Sequence, residues 1–384
     1  MRKLQDLEVS GRRVLVRVDF NIPLEDGKIS DDYRIVTAIP TIRYLLEKKA
    51  RVILMSHLGR PNGQVVEKLR LGPVAQKLEE LLNQPVIYIK DCIGPQVEEA
   101  NANLAEGSIL LLENLRFYPE EENNDQAFAQ KLANLADCYV NDAFSAAHRA
   151  HASTHAVAHL LPNAAGLLME KEVLALGQLA INPQHPFVVI LGGAKVSDKI
   201  GVINNLIDKA DYLLIGGGMA FTFLKAQGIE IGKSLVEAEK LAYACELLLK
   251  AGEKIKLPTD VIVAENLTAG IPKRTVNIRN IPADQMGLDI GTDTIDRFSR
   301  IINSASTIFW NGPVGAFETP DFSEGTFAIR KAIALNPGTT VIGGGDTASA
   351  VQDCLDSFTH VSTGGGASLE FLEGRILPGI AVLD

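Results

Sequence analysis

Cysteine is scarce in this chain: Cys92, Cys138, Cys245 and Cys354 are the only four in 384 residues, and no two form a C-x-x-C pair. That pattern argues against a zinc site or a disulfide framework and fits a reducing compartment. Long apolar runs are missing too, since none reaches the about 18 residues that a membrane-spanning helix needs. The opening Met1-Arg2-Lys3-Leu4-Gln5-Asp6-Leu7-Glu8 is too acidic and too short in apolar length for a secretory leader, so the expected location is the cytoplasm. Positive charge is in deficit, 37 Lys and Arg against 47 Asp and Glu, and the net charge of −10 repels nucleic acid and anionic membranes. Any anion site must therefore be local. Tryptophan is reduced to Trp310, and no low-complexity stretch or short repeat occurs. What the chain has in abundance is apolar side chain, 46%, at a length that suits two cores better than one.

Apolar runs recur at Val14–Val18, Val52–Met55, Val86–Ile89, Ile109–Leu112 and Tyr139–Val140. Helical spacing fills the gaps: Ile35, Ile39, Ile42 and Leu46 repeat within Tyr33–Lys48, and similar patterns cover Val74–Leu82 and Phe128–Leu135. The second half repeats the plan, with runs at Phe187–Leu191, Tyr212–Ile215, Val261–Ala264, Thr307–Trp310, Thr340–Ile342 and His360–Val361, and helical patterns at Leu235–Leu249 and Asp321–Leu335. Strand and helix in alternation predict an α/β fold of two Rossmann-like, doubly wound parallel-sheet lobes. A helical stretch from Gly166, followed by the X-Pro steps Asn182-Pro183 and His185-Pro186, marks the joint. The expected parts are a first domain over 1–170, a linker helix and hinge over 166–182, and a second domain over 183–372.

Ligands of open α/β sheets gather at the carboxyl ends of the strands, and glycine clusters stand at those ends in the second half. They are Gly192-Gly193, Gly216-Gly217-Gly218, Gly343-Gly344-Gly345 and Gly364-Gly365-Gly366. Glycine lets backbone approach a ligand, and a helix start beyond it turns free N–H groups toward an anion. After Val188–Leu191 the chain runs Gly192-Gly193-Ala194-Lys195-Val196-Ser197-Asp198-Lys199, which predicts a phosphate site with two lysines on one face of a first helical turn. This lobe is expected to bind a nucleotide. Asp346, where a strand turns into a helix, reads either as a carboxylate holding Mg²⁺ against phosphate or as a helix cap.

Three tempting motifs fail. Gly343-Gly344-Gly345-Asp346-Thr347-Ala348 fits G-x-G-x-x-A, but Ser362 and Thr363 stand where a dinucleotide fold wants an acid, which disfavours a dehydrogenase. Gly228 to Ser234 has three residues between its glycines where a P-loop needs four, and it follows a helix, so it reads as a turn. His151, His155 and His159 would form a ladder on a helix, yet no Glu occupies the H-E-x-x-H position; His151 is better placed with His148 and Arg149 on a basic surface.

In the first half, polar residues stand just past the strand ends: Asp19 and Asn21, His57 and Arg60, Arg116, and Arg149, with Arg34 opening a helix. Arginine's planar fork matches phosphate and carboxylate oxygens, so the set suggests a small polyanionic substrate. No Ser-His-Asp or Cys-His arrangement suggests a covalent intermediate. Two readings remain open here, a phosphoryl-transfer enzyme and a two-lobed sensor of a phosphorylated metabolite. Asp346 with paired lysines favours the enzyme.

Seven motifs in order turn the pattern into a likeness: Arg17-Val-Asp19-Phe-Asn21, Ser56-His57-Leu58-Gly59-Arg60-Pro61, Glu113-Asn114-Leu115-Arg116-Phe117, Asn141-Asp142-Ala143-Phe144 with His148-Arg149-Ala150-His151, Gly192-Gly193-Ala194-Lys195-Val196, Trp310-Asn311-Gly312-Pro313-Val314-Gly315 and Gly343-Gly344-Gly345-Asp346-Thr347. Over nearly its whole length the chain resembles phosphoglycerate kinase. The resemblance implies reversible transfer of a phosphoryl group from 1,3-bisphosphoglycerate to Mg-ADP, giving 3-phosphoglycerate and Mg-ATP, in glycolysis, gluconeogenesis or carbon fixation. It implies that Asp19 and Asn21 contact the glycerate, that Arg34, His57, Arg60, Arg116 and Arg149 form a basic patch for 3-phosphoglycerate, and that Arg17, His148 and His151 are its outer members. On the nucleotide side it implies Gly193, Lys195, Lys199, Gly217, Asn311, Pro313, Glu318, Gly343, Gly344, Gly345, Asp346 and Thr347, with Glu318 on the ribose and Asp346 on magnesium. Arg34, Lys195 and Lys199 take the catalytic roles, Lys199 shielding the moving group. The tail, 373–384, completes the first lobe, and the protein is expected to act as a monomer. One departure is visible: Met286-Gly287-Leu288-Asp289-Ile290-Gly291 lacks a tryptophan that the family often carries there.

Overall fold

An apolar run such as Val14-Leu15-Val16 is satisfied only where both faces of a strand are covered, which a parallel sheet between helices provides. The computed structural model describes residues 1–25 and 27–383, and the chain divides into two units, Met1–Leu174 with Ile376–Asp384, and Ala175–Arg375. Each holds one six-stranded parallel sheet.

The first unit contains β1 (Arg13–Arg17), β2 (Leu24–Glu25), β3 (Lys28–Ile29), β4 (Arg51–Met55), β5 (Val86–Tyr88), β6 (Ile109–Leu111), β7 (Cys138–Asn141) and β8 (Asn163–Ala165). The sheet order is β5-β6-β4-β1-β7-β8, and β2 and β3 form a small antiparallel hairpin. Winding reverses at β1, which lies between β4 and β7, and Arg17 at its end is in register with both Met55 and Asn141. The loops that leave these strands therefore open into one crevice. A helix, Tyr33–Glu47, follows the hairpin and buries Ile35, Ile39, Ile42 and Leu45 even though Pro40 interrupts its hydrogen bonding.

The second unit contains β9 (Phe187–Leu191), β10 (Tyr212–Ile215), β11 (Ile255–Lys256), β12 (Asp260–Ala264), β13 (Arg274–Asn277), β14 (Met286–Ile290), β15 (Thr307–Asn311), β16 (Thr339–Gly343) and β17 (His360–Val361). Here the parallel order is β11-β10-β9-β15-β16-β17, with the reversal at β9. Leu191, Ile215, Asn311 and Gly343 are linked in register, so the glycine clusters after them stand side by side. Phe187, Phe309 and Trp310 are fully buried, each contributing roughly 1.5–3 kcal/mol of apolar burial.

Two expectations need correction. The run Val261–Ala264 is not in the parallel sheet: β12 pairs antiparallel with β13 and β14 in a separate three-stranded sheet, and the short β11 supplies the parallel edge. A fully buried apolar run reads alike in either setting. The helix expected from Leu235 begins only at Leu241, after a single turn at Ala238–Lys240. The strand β8 and the helix Pro95–Ala102 carried too little apolar pattern to be read.

Candidate functional site

At the carboxyl ends of β1, β4, β6 and β7 lies a cavity of about 250 Å³ lined by Asp19, Asn21, Arg34, His57, Gly59, Arg60, Arg116, Ser145, Ala146, His148, Arg149 and His151. All seven residues expected to bind substrate are thus in one lining. Asp19 is its one carboxylate among the described residues. It accepts from Arg34 Nη1 at 2.5 Å, from Ser145 Oγ and from the Asn21 N–H at 2.9 Å. Burial pushes this carboxyl up, yet the Arg34 charge and the hydrogen bonds from Ser145 and Asn21 hold the value below the usual carboxylate range. Asp19 stays ionised and fixes Arg34. Asn21 Oδ1 accepts from the Gly59 N–H at 2.8 Å, and Arg116 donates to the Gly59 carbonyl at 2.8 Å, so the two loops brace each other. Arg60 and Arg149 are exposed at the rim.

The histidines behave differently from the tempting ladder. His151 lines the cavity, and burial, with Arg17, Arg116 and Arg149 nearby, pushes it down to about 3. His155 and His159 contact each other edge-on at 4.9 Å, and among the described residues no group of three His, Cys, Asp or Glu side chains is placed to hold a metal. Arg17 is not in the lining: it is 1% exposed, behind His57. Ser145 escaped the sequence reading, because nothing distinguishes a serine in a loop until the fold sets it beside Asp19.

In the second unit a cavity of about 340 Å³ opens beside the glycine loops, lined by Gly193, Gly217, Pro313, Glu318 and Asp346 together with a largely apolar wall. The wall, Phe221, Leu235, Val261, Leu267, Met286, Leu288 and Val314, comes from the helix Met219–Ala226, the antiparallel sheet and adjoining loops. Sequence alone could not tell this wall from core. A largely apolar cavity whose lining also carries glycine backbone and carboxylates suits an aromatic base joined to a charged chain. Glycine is required where the loops cross: a Cβ at Gly192 would lie 2.0 Å from the Pro313 carbonyl oxygen, and Gly217, at φ +63°, would meet Gly193 backbone at 2.8 Å.

The remaining expected residues stand beside this lining. Lys199 Nζ donates to Asn311 Oδ1, and Thr347 Oγ1 accepts from the Gly312 N–H at 2.6 Å. Burial lowers the Lys199 value while Asp198 and Asp346 draw it back up. The two lysines do not share a helical face. Lys195 is exposed in the loop, Lys199 closes the short turn Ser197–Lys199, and the helix begins at Ile200. Glu237, unforeseen in sequence, pins that turn by accepting from Ser197 N–H at 3.0 Å and Ser197 Oγ at 2.6 Å. Gly343 ends β16, Gly344 has φ +91°, and Gly345 opens a six-residue helix with Asp346 exposed in its first turn. Asp346 is not the helix cap, a position that Gly344 takes.

Comparison with known proteins bears on family and fold. The family model described as phosphoglycerate kinase matches residues 4–375. The chain is 56% identical over 385 residues to the phosphoglycerate kinase of Moorella thermoacetica, covering 99% of this chain and 98% of that protein. It is 55% identical over 388 residues to that of Thermomicrobium roseum, covering 100% and 99%. The solved structure of phosphoglycerate kinase from Coxiella burnetii superposes with a TM-score of 0.88 at 43% identity, covering 99% of this chain and 98% of that one. That from Pyrococcus horikoshii superposes with a TM-score of 0.89 at 35% identity, covering 100% and 98%. The chain belongs to the phosphoglycerate kinase family.

Proposed function

We propose that the basic cavity of the first unit holds 3-phosphoglycerate or 1,3-bisphosphoglycerate and that the glycine-rimmed cavity of the second holds ADP or ATP. The observation that carries this assignment is the contrast between the two linings, four arginines around one paired carboxylate against an apolar slot rimmed by glycine backbone. Arg34, Arg60, Arg116 and Arg149 match the charge of a phosphorylated acid, while Asp19 and Asn21 face its glycerate portion. Gly193, Gly217, Pro313 and Glu318 hold the nucleoside, with Glu318 on the ribose. Lys195, Lys199, Asn311, Thr347 and Gly343–Gly345 face its phosphates.

In this family's reaction a phosphoryl group passes between the acyl phosphate of 1,3-bisphosphoglycerate and ADP, and in the reverse direction the acceptor is a carboxyl group. Direct transfer of this kind depends on positioning and on stabilising the equatorial oxygens rather than on a nucleophile from the protein. Arg34 and Lys199, each held by a partner, supply positive charge without reorganising, and Lys195 in its exposed loop adds a third. Magnesium fits Asp346: an exposed carboxylate in the cavity lining is what a metal needs when it arrives on nucleotide phosphates and keeps its waters. When bound, the metal neutralises phosphate charge. One chain carries both cavities, so a monomer suffices. The acidic net charge disfavours nucleic acid and anionic membrane as partners, and four free cysteines suit the cytoplasm.

A turnover assay coupled to 3-phosphoglycerate and Mg-ATP, together with calorimetry, tests the assignment. Arg34→Ala and Arg149→Ala should each raise the 3-phosphoglycerate Kd by about tenfold or more, the loss of a charge-assisted hydrogen bond, and leave ADP affinity unchanged. Loss of ADP binding with 3-phosphoglycerate affinity intact would reverse the two cavities.

A further inference from the structure

Behind the basic cavity runs a buried chain of polar groups that ends on one cavity-lining ring. Glu121, Ser153 and Arg17 are each 0–1% exposed. Glu121 accepts from Ser153 Oγ at 2.5 Å and from the Ser153 N–H at 2.9 Å. Having given its only proton to Glu121, the Ser153 hydroxyl accepts from Arg17 Nε at 2.8 Å. The guanidinium also donates to the Val18 carbonyl, and its Nη2 lies 3.0 Å from His57 Nδ1. A guanidinium has no lone pair to offer, so at that contact the imidazole must accept. The neutral ring then carries its proton on Nε2, and His57 is one of the side chains that line the cavity.

We propose that Glu121, Ser153 and Arg17 are positioning residues that hold His57 as the neutral Nε2–H tautomer, a fixed uncharged donor to the oxyanions of the phosphoglycerate. The proposal rests on reading the basic cavity as the phosphoglycerate site. An imidazolium would place an Nδ1–H against a guanidinium N–H, which the 3.0 Å contact does not allow. The charged groups facing the ring are Asp19, whose Oδ1 lies 3.9 Å from Nδ1 and favours the cation, and Arg17, Arg34 and Arg116, which oppose it. Burial works in the same direction as the arginines. A buried arginine with a single fixed set of acceptors has no need to end on a ligand-facing histidine if its role is packing alone. Here the donor row runs from carboxylate to cavity without a break, and Tyr139, fully buried, anchors Ser153 further by donating to its carbonyl at 2.8 Å.

The test is histidine-labelled ¹⁵N NMR of the free and 3-phosphoglycerate-bound protein, with His57 assigned by the signal lost in His57→Gln. In the wild-type protein His57 should show a protonated Nε2, an unprotonated Nδ1 and no titration across about pH 5.5–8, the range in which a free histidine changes charge. Arg17→Lys keeps the charge but gives up the fork, so His57 should begin to titrate and the KM for 3-phosphoglycerate should rise about tenfold. The KM for ATP should stay put. Ser153→Ala should give a smaller rise of the same kind. A wild-type His57 that titrates near about 6.5, or that carries its proton on Nδ1, overturns the proposal even if neither variant folds. A ring that is locked as described but whose Nε2 signal ignores saturating 3-phosphoglycerate overturns the substrate assignment and the donor role with it, while leaving the tautomer lock standing.

Discussion

At the scale of single residues, what decides a role is the atom each side chain is given to face. Lys195 and Lys199 look alike in sequence, yet one is exposed and the other is half-buried and bonded to Asn311. Asp346 and Asp19 are both aspartates past a strand end. Asp19 is buried and paired with Arg34, whereas Asp346 is exposed at the mouth of the second cavity, open to a metal-bound nucleotide. Asp346→Asn should therefore raise the magnesium needed for half-maximal activity about tenfold or more and cut turnover, with 3-phosphoglycerate affinity unchanged. Identical magnesium titrations for the two proteins would remove Asp346 from the metal's ligands. Strand-end placement was legible for Asp19, His57 and Arg116 because each follows an apolar run. Ser145, Glu121, Ser153 and Glu237 were not legible, since their partners are at least 32 residues away in sequence.

At the scale of elements, the helix Leu167–Ile181 shows how a terminus is made. Its first free N–H groups find acceptors in other segments: Leu167 donates to Thr41 Oγ1 at 2.9 Å, and Leu168 and Met169 donate to Asp142 Oδ1 at 2.9 and 3.2 Å. Gly166 must precede it, because a Cβ there would lie 2.1 Å from Asp142. Burial pushes the Asp142 carboxyl up to about 6, while Thr41 and the helix N–H groups draw it back only in part. The native value is thus above that of the unfolded chain, about 3.9, so the proton is held more tightly in the native state. The resulting stabilisation is complete below the unfolded value and is lost as pH rises through about 6. Urea unfolding at a series of pH values should show wild type losing on the order of 2 kcal/mol relative to Asp142→Asn between about pH 4 and 7. Parallel curves would mean that Asp142 is already ionised at the lower end. The helix itself was legible from its periodicity, but its cap was not, since Asp142 ends a different run. The antiparallel β12 was misread for a related reason: burial on both faces erases the alternation that separates one sheet type from the other.

At the scale of the whole molecule, the two substrates are assigned to separate units, and in-line transfer needs the reacting atoms about 3–3.5 Å apart. A ligand held mainly by one unit favours a closed state over an open one only slightly, whereas two ligands that meet favour it strongly together. X-ray scattering should accordingly show a clear fall in radius of gyration with 3-phosphoglycerate and nucleotide both present, and a smaller one with either alone. The same radius in all four states, in a protein that still turns over, would exclude closure as a step. Taken by itself, the sequence determined the alternation of strand and helix, the two parallel sheets that such alternation implies, and the strand ends at which polar and glycine-rich loops collect. Those properties are local, set by periodicity and by the backbone freedom of glycine. Only the tertiary structure decided that Ser145 lies inside the first cavity and Arg17 behind its wall, and that apolar side chains such as Phe221, Leu235, Leu267 and Met286 line the second cavity. Which way a loop side chain turns depends on partners brought from distant strands by the register of the sheet, and no local pattern records that register.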